Sequence, residues 1–173
     1  NALVDITNFI TIDLGRPLHV FDADKIGSSL VMKLASDKDK ILALDNKEYQ
    51  LDTTTTIIAD QKQPLAIAGV IGGLESGCNE TTKNVFLEVA LFDPSKVAKV
   101  GRRLGINSDA RYRFERGLDK EMVEEGLEYA TFLINQICGG TVSKNISAGK
   151  IELDKIKIPY DFSFFQKIIG IDL

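Results

Sequence analysis

Two stretches hold residues whose types and spacing suit chemistry: Ala66–Gly73, AIAGVIGG, and the VFLEVA run that carries Glu88. The apolar segment Leu65–Ala68 runs into a Gly-x-x-Gly-Gly loop. Glycine lets a backbone approach another group closely and takes φ angles that other residues avoid. In the second run, strand alternation places Val85, Leu87 and Val89 on one face. Phe86, Glu88 and Ala90 fall on the other. A carboxylate within an apolar strand is costly to bury unless it has a partner. A glycine loop with free N–H groups beside such a carboxylate suits a small-molecule pocket. The plainer reading is a tight turn and a glutamate paired to an arginine.

His19 is the single histidine, so no multi-histidine metal site can form, and no Cys or carboxylate cluster has zinc spacing. Beside Pro17, it either positions a ligand or bonds a nearby carbonyl. There is no Gly-x-Ser-x-Gly and no Walker loop. The Gly69–Gly73 loop lacks the dinucleotide pattern, and a strand rather than a helix is expected after it. Lys96, Lys99, Arg102 and Arg103 share helical spacing and suit either phosphate contact or a solvated face. Arg111, Arg113, Glu115 and Arg116 carry both signs, which favours an internal ion-pair network. Asn107-Ser108-Asp109 suits turn chemistry or polar pocket lining.

The elements that must position these groups follow from periodicity. Leu3, Ile6, Ile10 and Leu14 predict a helix over 2–14, stopped by Gly15. Gly15–Asp24 reads as irregular. Leu30–Ala35, Thr55–Ala59, Leu65–Ile71 and Val85–Leu91 read as strands, and 41–51 as a hairpin about Asp45-Asn46-Lys47. Asp93-Pro94 opens a helix that Gly105 ends. Ile106–Arg116 reads as a charged, partly β-like connector. A helix from about Lys120 to Cys138 follows, with Asp119 as cap and Gly139-Gly140 as stop. Thr141–Lys150 has a strand-like tendency. The fold class expected is α+β, a mixed β-sheet core with flanking helices.

The 173 residues bound the chain to one ordinary domain with a fragment of a second. A composition shift divides it at 149: Lys155, Lys157, Pro159 and Tyr160 precede Phe164, Phe165, Ile168 and Ile169. Residues 150–173 read as a linker and the truncated start of a following module. The absence of an initial Met also reads as an excised piece. A formal charge of −4 gives bulk charge no role in nucleic-acid binding, although a local basic face remains open. Cys78 and Cys138 lie far apart and suit free thiols in a reducing compartment. No apolar run approaches membrane-spanning length.

Six motifs resemble, in order, the β subunit of bacterial phenylalanyl-tRNA synthetase, in its central editing domain. They are Thr7-Asn8, GRPLHVFDADKI (Gly15–Ile26), AIAGVIGG, LEVALFDP (Leu87–Pro94), SDARYRFERGLD (Ser108–Asp119) and ICGG (Ile137–Gly140). The match covers roughly residues 1–150. The resemblance implies hydrolysis of tyrosine wrongly attached to the tRNA for phenylalanine. Synthesis, with its ATP and Mg, lies elsewhere on the α subunit, and no cofactor or metal is implied here. Glu88 matches the carboxylate that receives the tyrosine hydroxyl, and Gly69 the backbone N–H that meets it. Thr7, Asn8, Pro17 and His19 match the wall near the amino acid and ester, positioning water and ester. Ser108 and Ala110 match the opposite wall. Ser108 stands where Thr is usual, and Arg111 where relatives often have Ser.

The implied chemistry is attack by a bound water, with positioning supplying most of the effect. His19 as general base and orientation by the tRNA's own terminal hydroxyl both remain open. The implied setting is a cytoplasmic tetramer of two α and two β subunits, with no membrane contact. The rival expectation is a non-catalytic scaffold that docks tRNA or the α subunit.

Overall fold

The computed structural model describes residues 1–151 and 157–171. Lys155, part of the composition shift, lies outside the described residues. The chain opens with α1 (Ala2–Asp13) and β1 (His19–Asp22). The strands β2 (Val31–Leu34), β3 (Lys40–Leu42), β4 (Glu48–Gln50), β5 (Thr56–Ala59), β6 (Pro64–Ile67), β7 (Ile71–Gly72) and β8 (Val85–Glu88) follow. Helices α2 (Pro94–Leu104), α3 (Asp109–Phe114), α4 (Met122–Cys138) and α5 (Phe162–Ile169) complete the order. The α+β class is as expected.

The strands make a four-stranded sheet in the order β2-β5-β6-β7, a β3–β4 hairpin and a β1–β8 ribbon. All the pairings are antiparallel. In the hairpin turn Asn46 takes φ 62°, and the Asp45 side chain accepts from the Lys47 N–H at 3.2 Å. This is the turn chemistry expected of Asx residues. AIAGVIGG is itself a hairpin rather than one strand. The Val70 N–H donates to the Ile67 carbonyl at 2.9 Å. Gly69 stands third in that turn at φ +69°, where a type II turn demands glycine.

Helix α2 forms as the sequence predicts: Asp93 accepts from the Lys96 N–H at 3.1 Å, Pro94 stands first, and Gly105 closes it at φ +66°. The connector expected at Ile106–Arg116 is instead helical over Asp109–Phe114. Ser108 caps α3, and pairs spaced by four residues, Arg113–Asp109 and Arg111–Glu115, brace it. Of the two aromatic residues of α3, Phe114 is buried and Tyr112 exposed. Asp119 accepts from the Glu121 N–H at 2.9 Å just before α4 rather than capping it. No strand forms over 141–150.

The main core lies between the four-stranded sheet and α2 and α3, with Ile57, Ile67, Val70, Val97, Val100 and Phe114 at its centre. Side chains of this size, fully buried, each contribute roughly 1.5–3 kcal/mol. A second cluster joins α1 to α4 through Ile6, Ile10 and Ala130, with Leu87 of β8 packed on it. The β1–β8 ribbon therefore lies between helices and sheet. Arg16 pins it from within. Only 2% exposed, Arg16 donates to the Ala90 carbonyl at 3.4 Å and to the Asp119 carbonyl. Its Cδ lies 2.7 Å from where a Cβ on Gly126 would stand, so α4 needs glycine there.

Candidate functional site

The ribbon register sets the site. His19 stands opposite Glu88, Val20 opposite Leu87, and Phe21 opposite Phe86. Residues directly opposite in an antiparallel pair share a face. His19, Phe21, Phe86 and Glu88 therefore line one face. The other carries Val20 and Leu87, and Leu87 packs on the α1–α4 cluster. This is the alternation expected for Phe86, Leu87 and Glu88. Gly15–Asp24, expected to be irregular, supplies β1.

Among the described residues Glu88 has no charged or hydrogen-bonding partner. Its carboxyl is pushed up from 4.5 to about 7 by burial alone. The plainer expectation, an arginine partner for Glu88, is not what forms among the described residues. Arg113 pairs with Asp109, and Arg116 with Glu115. The mixed-charge run is thus the internal network expected. Arg111 belongs to it, bonding Glu115 at 3.0 Å and the Ile106 carbonyl at 2.6 Å.

The His19 ring meets Phe21 edge-on, with centroids 4.4 Å apart. Burial pulls its pKa down from 6.5 to about 4. Its Nε2 is buried and has no partner among the described residues. The ring does not bond a nearby carbonyl through that atom. Pro17, buried two residues earlier, leads the chain into β1.

The remaining expected residues divide. Gly69 faces Phe92, Val97 and Phe114, each within 2.9–3.3 Å of where a Cβ would stand. Its N–H makes no hydrogen bond among the described residues. Ser108 joins α3 to the glycine turn: its hydroxyl donates to the Val70 carbonyl at 2.5 Å and accepts from the Arg111 N–H at 3.0 Å. Ala110 packs against the main core. Thr7 is buried in α1, and its hydroxyl donates to the Val4 carbonyl at 2.9 Å. Asn8, next along α1, is exposed. The register brings His19 and Glu88 together. Ser108 joins the glycine turn, and Thr7 and Asn8 belong to the helical layer.

Two of the clefts beside these elements contain neither His19 nor Glu88. One, of about 140 Å³, is lined by Met32, Thr56, Ala68, Phe92, Lys96 and Val97 among others. The other, of about 180 Å³, lies over β3 and β6 near Lys40, Glu48, Pro64, Gly73 and Ser76. Among the described residues no helix is long and apolar enough to cross a membrane, and no cluster of metal-ligating side chains forms. Arg16 is the positional residue that sequence reasoning missed. It lies inside GRPLHVFDADKI, and only the folded chain reveals its contacts with residues 90, 119 and 126.

Relatives share this sequence at high identity. The chain is 48% identical over all 173 residues to the phenylalanine–tRNA ligase beta subunit of Bradyrhizobium diazoefficiens, covering 22% of it. It is 55% identical over 140 residues to that of Brucella suis, across 81% of this chain and 17% of the relative. The chain thus spans about a fifth of the length of the curated relatives it matches. A crystal structure of an N-terminal fragment of the phenylalanyl-tRNA synthetase beta subunit from Pyrococcus horikoshii superposes with a TM-score of 0.57. At 16% identity, over 99% of this chain and 51% of that one, the likeness concerns the fold. Residues 1–139 match the B3/4 domain, a span that holds the ribbon, the glycine turn and the capped α3. The chain belongs to the B3/4 domain family.

Proposed function

We propose that this chain is the B3/4 segment of a phenylalanine–tRNA ligase beta subunit, where it removes tyrosine from the tRNA for phenylalanine. The observation that carries this reading is the pair His19 and Glu88, opposite each other on one ribbon face. The His19 Nε2 is buried with no partner among the described residues, and burial is the cause that raises the Glu88 carboxyl. Such groups favour a ring that brings its own hydroxyl and disfavour an apolar ring that leaves them unpaired. The names of the relatives supply the ligase context.

In this reading Glu88 receives the tyrosine hydroxyl, and the free Gly69 N–H meets the same oxygen. Either His19, whose imidazole is neutral above about pH 4, or the terminal hydroxyl of the tRNA orients the attacking water. Pro17, Thr7 and Asn8 line the ester side, Thr7 by shape because its hydroxyl is already bonded. Ser108 and Ala110 form the far wall. The domain works without cofactor, while ATP and Mg serve aminoacylation elsewhere in a cytoplasmic enzyme of two α and two β subunits. Residues 150–173 begin the next module.

Glu88→Ala in the complete ligase tests the reading. A hydrogen bond to a charged group contributes about 1.5–3 kcal/mol, or roughly one to two orders of magnitude in rate. Tyrosyl-tRNA deacylation is expected to fall by that factor while phenylalanyl-tRNA hydrolysis stays flat or rises. Equal loss of both rates would make Glu88 a general structural residue. The second reading is a non-catalytic docking scaffold, favoured by two clefts that lie away from His19 and Glu88. It gains the argument when neither rate changes.

A further inference from the structure

Gly72 has no backbone need to be glycine. It lies in β7 opposite Ala66, and its φ is outside the left-handed range that Gly69 occupies. What distinguishes it is its neighbour. A Cβ on Gly72 would stand 2.4 Å from Cε1 and 2.9 Å from Nε2 of His19, and 3.1 Å from Cδ1 of Leu44. The imidazole occupies the space a side chain at 72 would fill. Phe21 also packs on the ring at a steep angle, 76° between planes. The ring is therefore seated between β7 and its own ribbon, in the orientation that leaves Nε2 buried and without a partner among the described residues.

We propose that Gly72 is a positioning residue for His19: its missing side chain is the seat that fixes the imidazole on the face it shares with Glu88. This rests on the hydrolytic reading of that face. Glycine here acts through a partner from another strand, and the motif AIAGVIGG divides by function. Gly69 supplies a turn, and Gly72 supplies room. A ring is the far end of a side chain that can rotate, so Gly72→Ala displaces His19 without forcing backbone apart. Glu88 is the titratable group opposite the ring.

The test is a double-mutant cycle in the complete ligase, with Gly72→Ala, His19→Ala and the combined variant. A misplacement of about 1 Å in a reacting site can cost on the order of a hundredfold. Gly72→Ala alone is expected to slow tyrosyl-tRNA deacylation by about tenfold to a hundredfold with aminoacylation unchanged. In the His19→Ala background it should add less than about twofold, because the group it positions is gone. A full additional loss there overturns the proposal.

A second measurement does not depend on activity. In the complete ligase the His19 imidazole resonances are identified as those that vanish in His19→Ala, and they are followed across pH. In the wild type they should titrate near 4, and in Gly72→Ala closer to the ordinary 6.5. An unchanged titration overturns the proposal. So does loss of cooperative melting in Gly72→Ala, which would make residue 72 a rigid packing position. If His19→Ala leaves deacylation untouched, the tRNA hydroxyl rather than His19 orients the water and Glu88→Ala remains the test of the hydrolytic reading, while the titration still decides whether Gly72 seats the ring.

Discussion

His19 and Glu88 face each other across β1 and β8, and burial drives both toward their neutral forms. Their contributions to stability have opposite signs. Glu88, raised to about 7, stabilises fully below its unfolded value of 4.5 and loses that contribution as pH rises to about 7. His19, lowered to about 4, stabilises above its unfolded 6.5 and loses that contribution as pH falls. The two slopes offset between roughly pH 4.5 and 6.5.

Single variants should uncover each slope. In Glu88→Gln the His19 contribution stands alone, and stability should fall on acidification from about pH 6.5 to 4 by up to about 3 kcal/mol. In His19→Gln it should instead fall as pH rises from about 4.5 to 7, by a similar amount. Urea unfolding across pH, read as differences from wild type, removes the contribution of the low-shifted carboxyls of Asp22, Asp45 and Asp60. Variant curves parallel to wild type would mean that neither group is buried in its neutral form.

Editing specificity should depend on pH through the same carboxyl. Ionised Glu88 offers the tyrosine hydroxyl a charge-assisted bond, which exceeds a neutral one by about 1 kcal/mol or more. The ratio of tyrosyl-tRNA to phenylalanyl-tRNA deacylation should therefore rise by about an order of magnitude between about pH 6 and 8. In Glu88→Gln that ratio should be flat. A rise that persists in Glu88→Gln would assign the titration to another group.

Ser108 supports α3 and the glycine turn with one hydroxyl. Loss of a serine cap alone costs about 0.5–2 kcal/mol. Ser108→Ala also strands the Val70 carbonyl, so a loss of about 1–3 kcal/mol is expected in thermal or urea melts. Ser108→Thr keeps the hydroxyl and should recover most of it. Equal losses in the two variants would show that the hydroxyl is not what matters.

Gly69→Ala combines two faults: an L side chain at φ +69°, and a Cβ 2.9 Å from both Phe92 and Val97. Overpacking costs about 1–3 kcal/mol, and the backbone penalty adds to it. Its melting midpoint should fall further than that of Gly72→Ala, where a rotatable ring can yield. The reverse order would contradict the distinction between the two glycines.

The helices α1, α2 and α4, the hairpin about Asn46 and the ribbon alternation were legible because each rests on local signals: caps, stops, turn residues and periodicity. His19–Asp22 was not legible as a strand, because its pairing partner lies at residues 85–88. Nor was α3: Tyr112 and Phe114 mimic a strand's spacing, while the charges spaced by four residues carry the helical signal. For the site, Glu88 and its neighbours on the ribbon face could be read from alternation. The bonded state of the Thr7 and Ser108 hydroxyls could not, because it depends on where the chain returns.

Residues 23–84 form an excursion that leaves at Asp22 and re-enters at Val85, with the four-stranded sheet built inside it. Closing so long a loop costs conformational entropy that only prior collapse of the excursion reduces. On the ribosome, His19 emerges before the whole four-stranded sheet and its partner Glu88 after it. The ribbon is thus a clasp across a long loop, and the face it carries is made of residues that the whole four-stranded sheet separates in sequence.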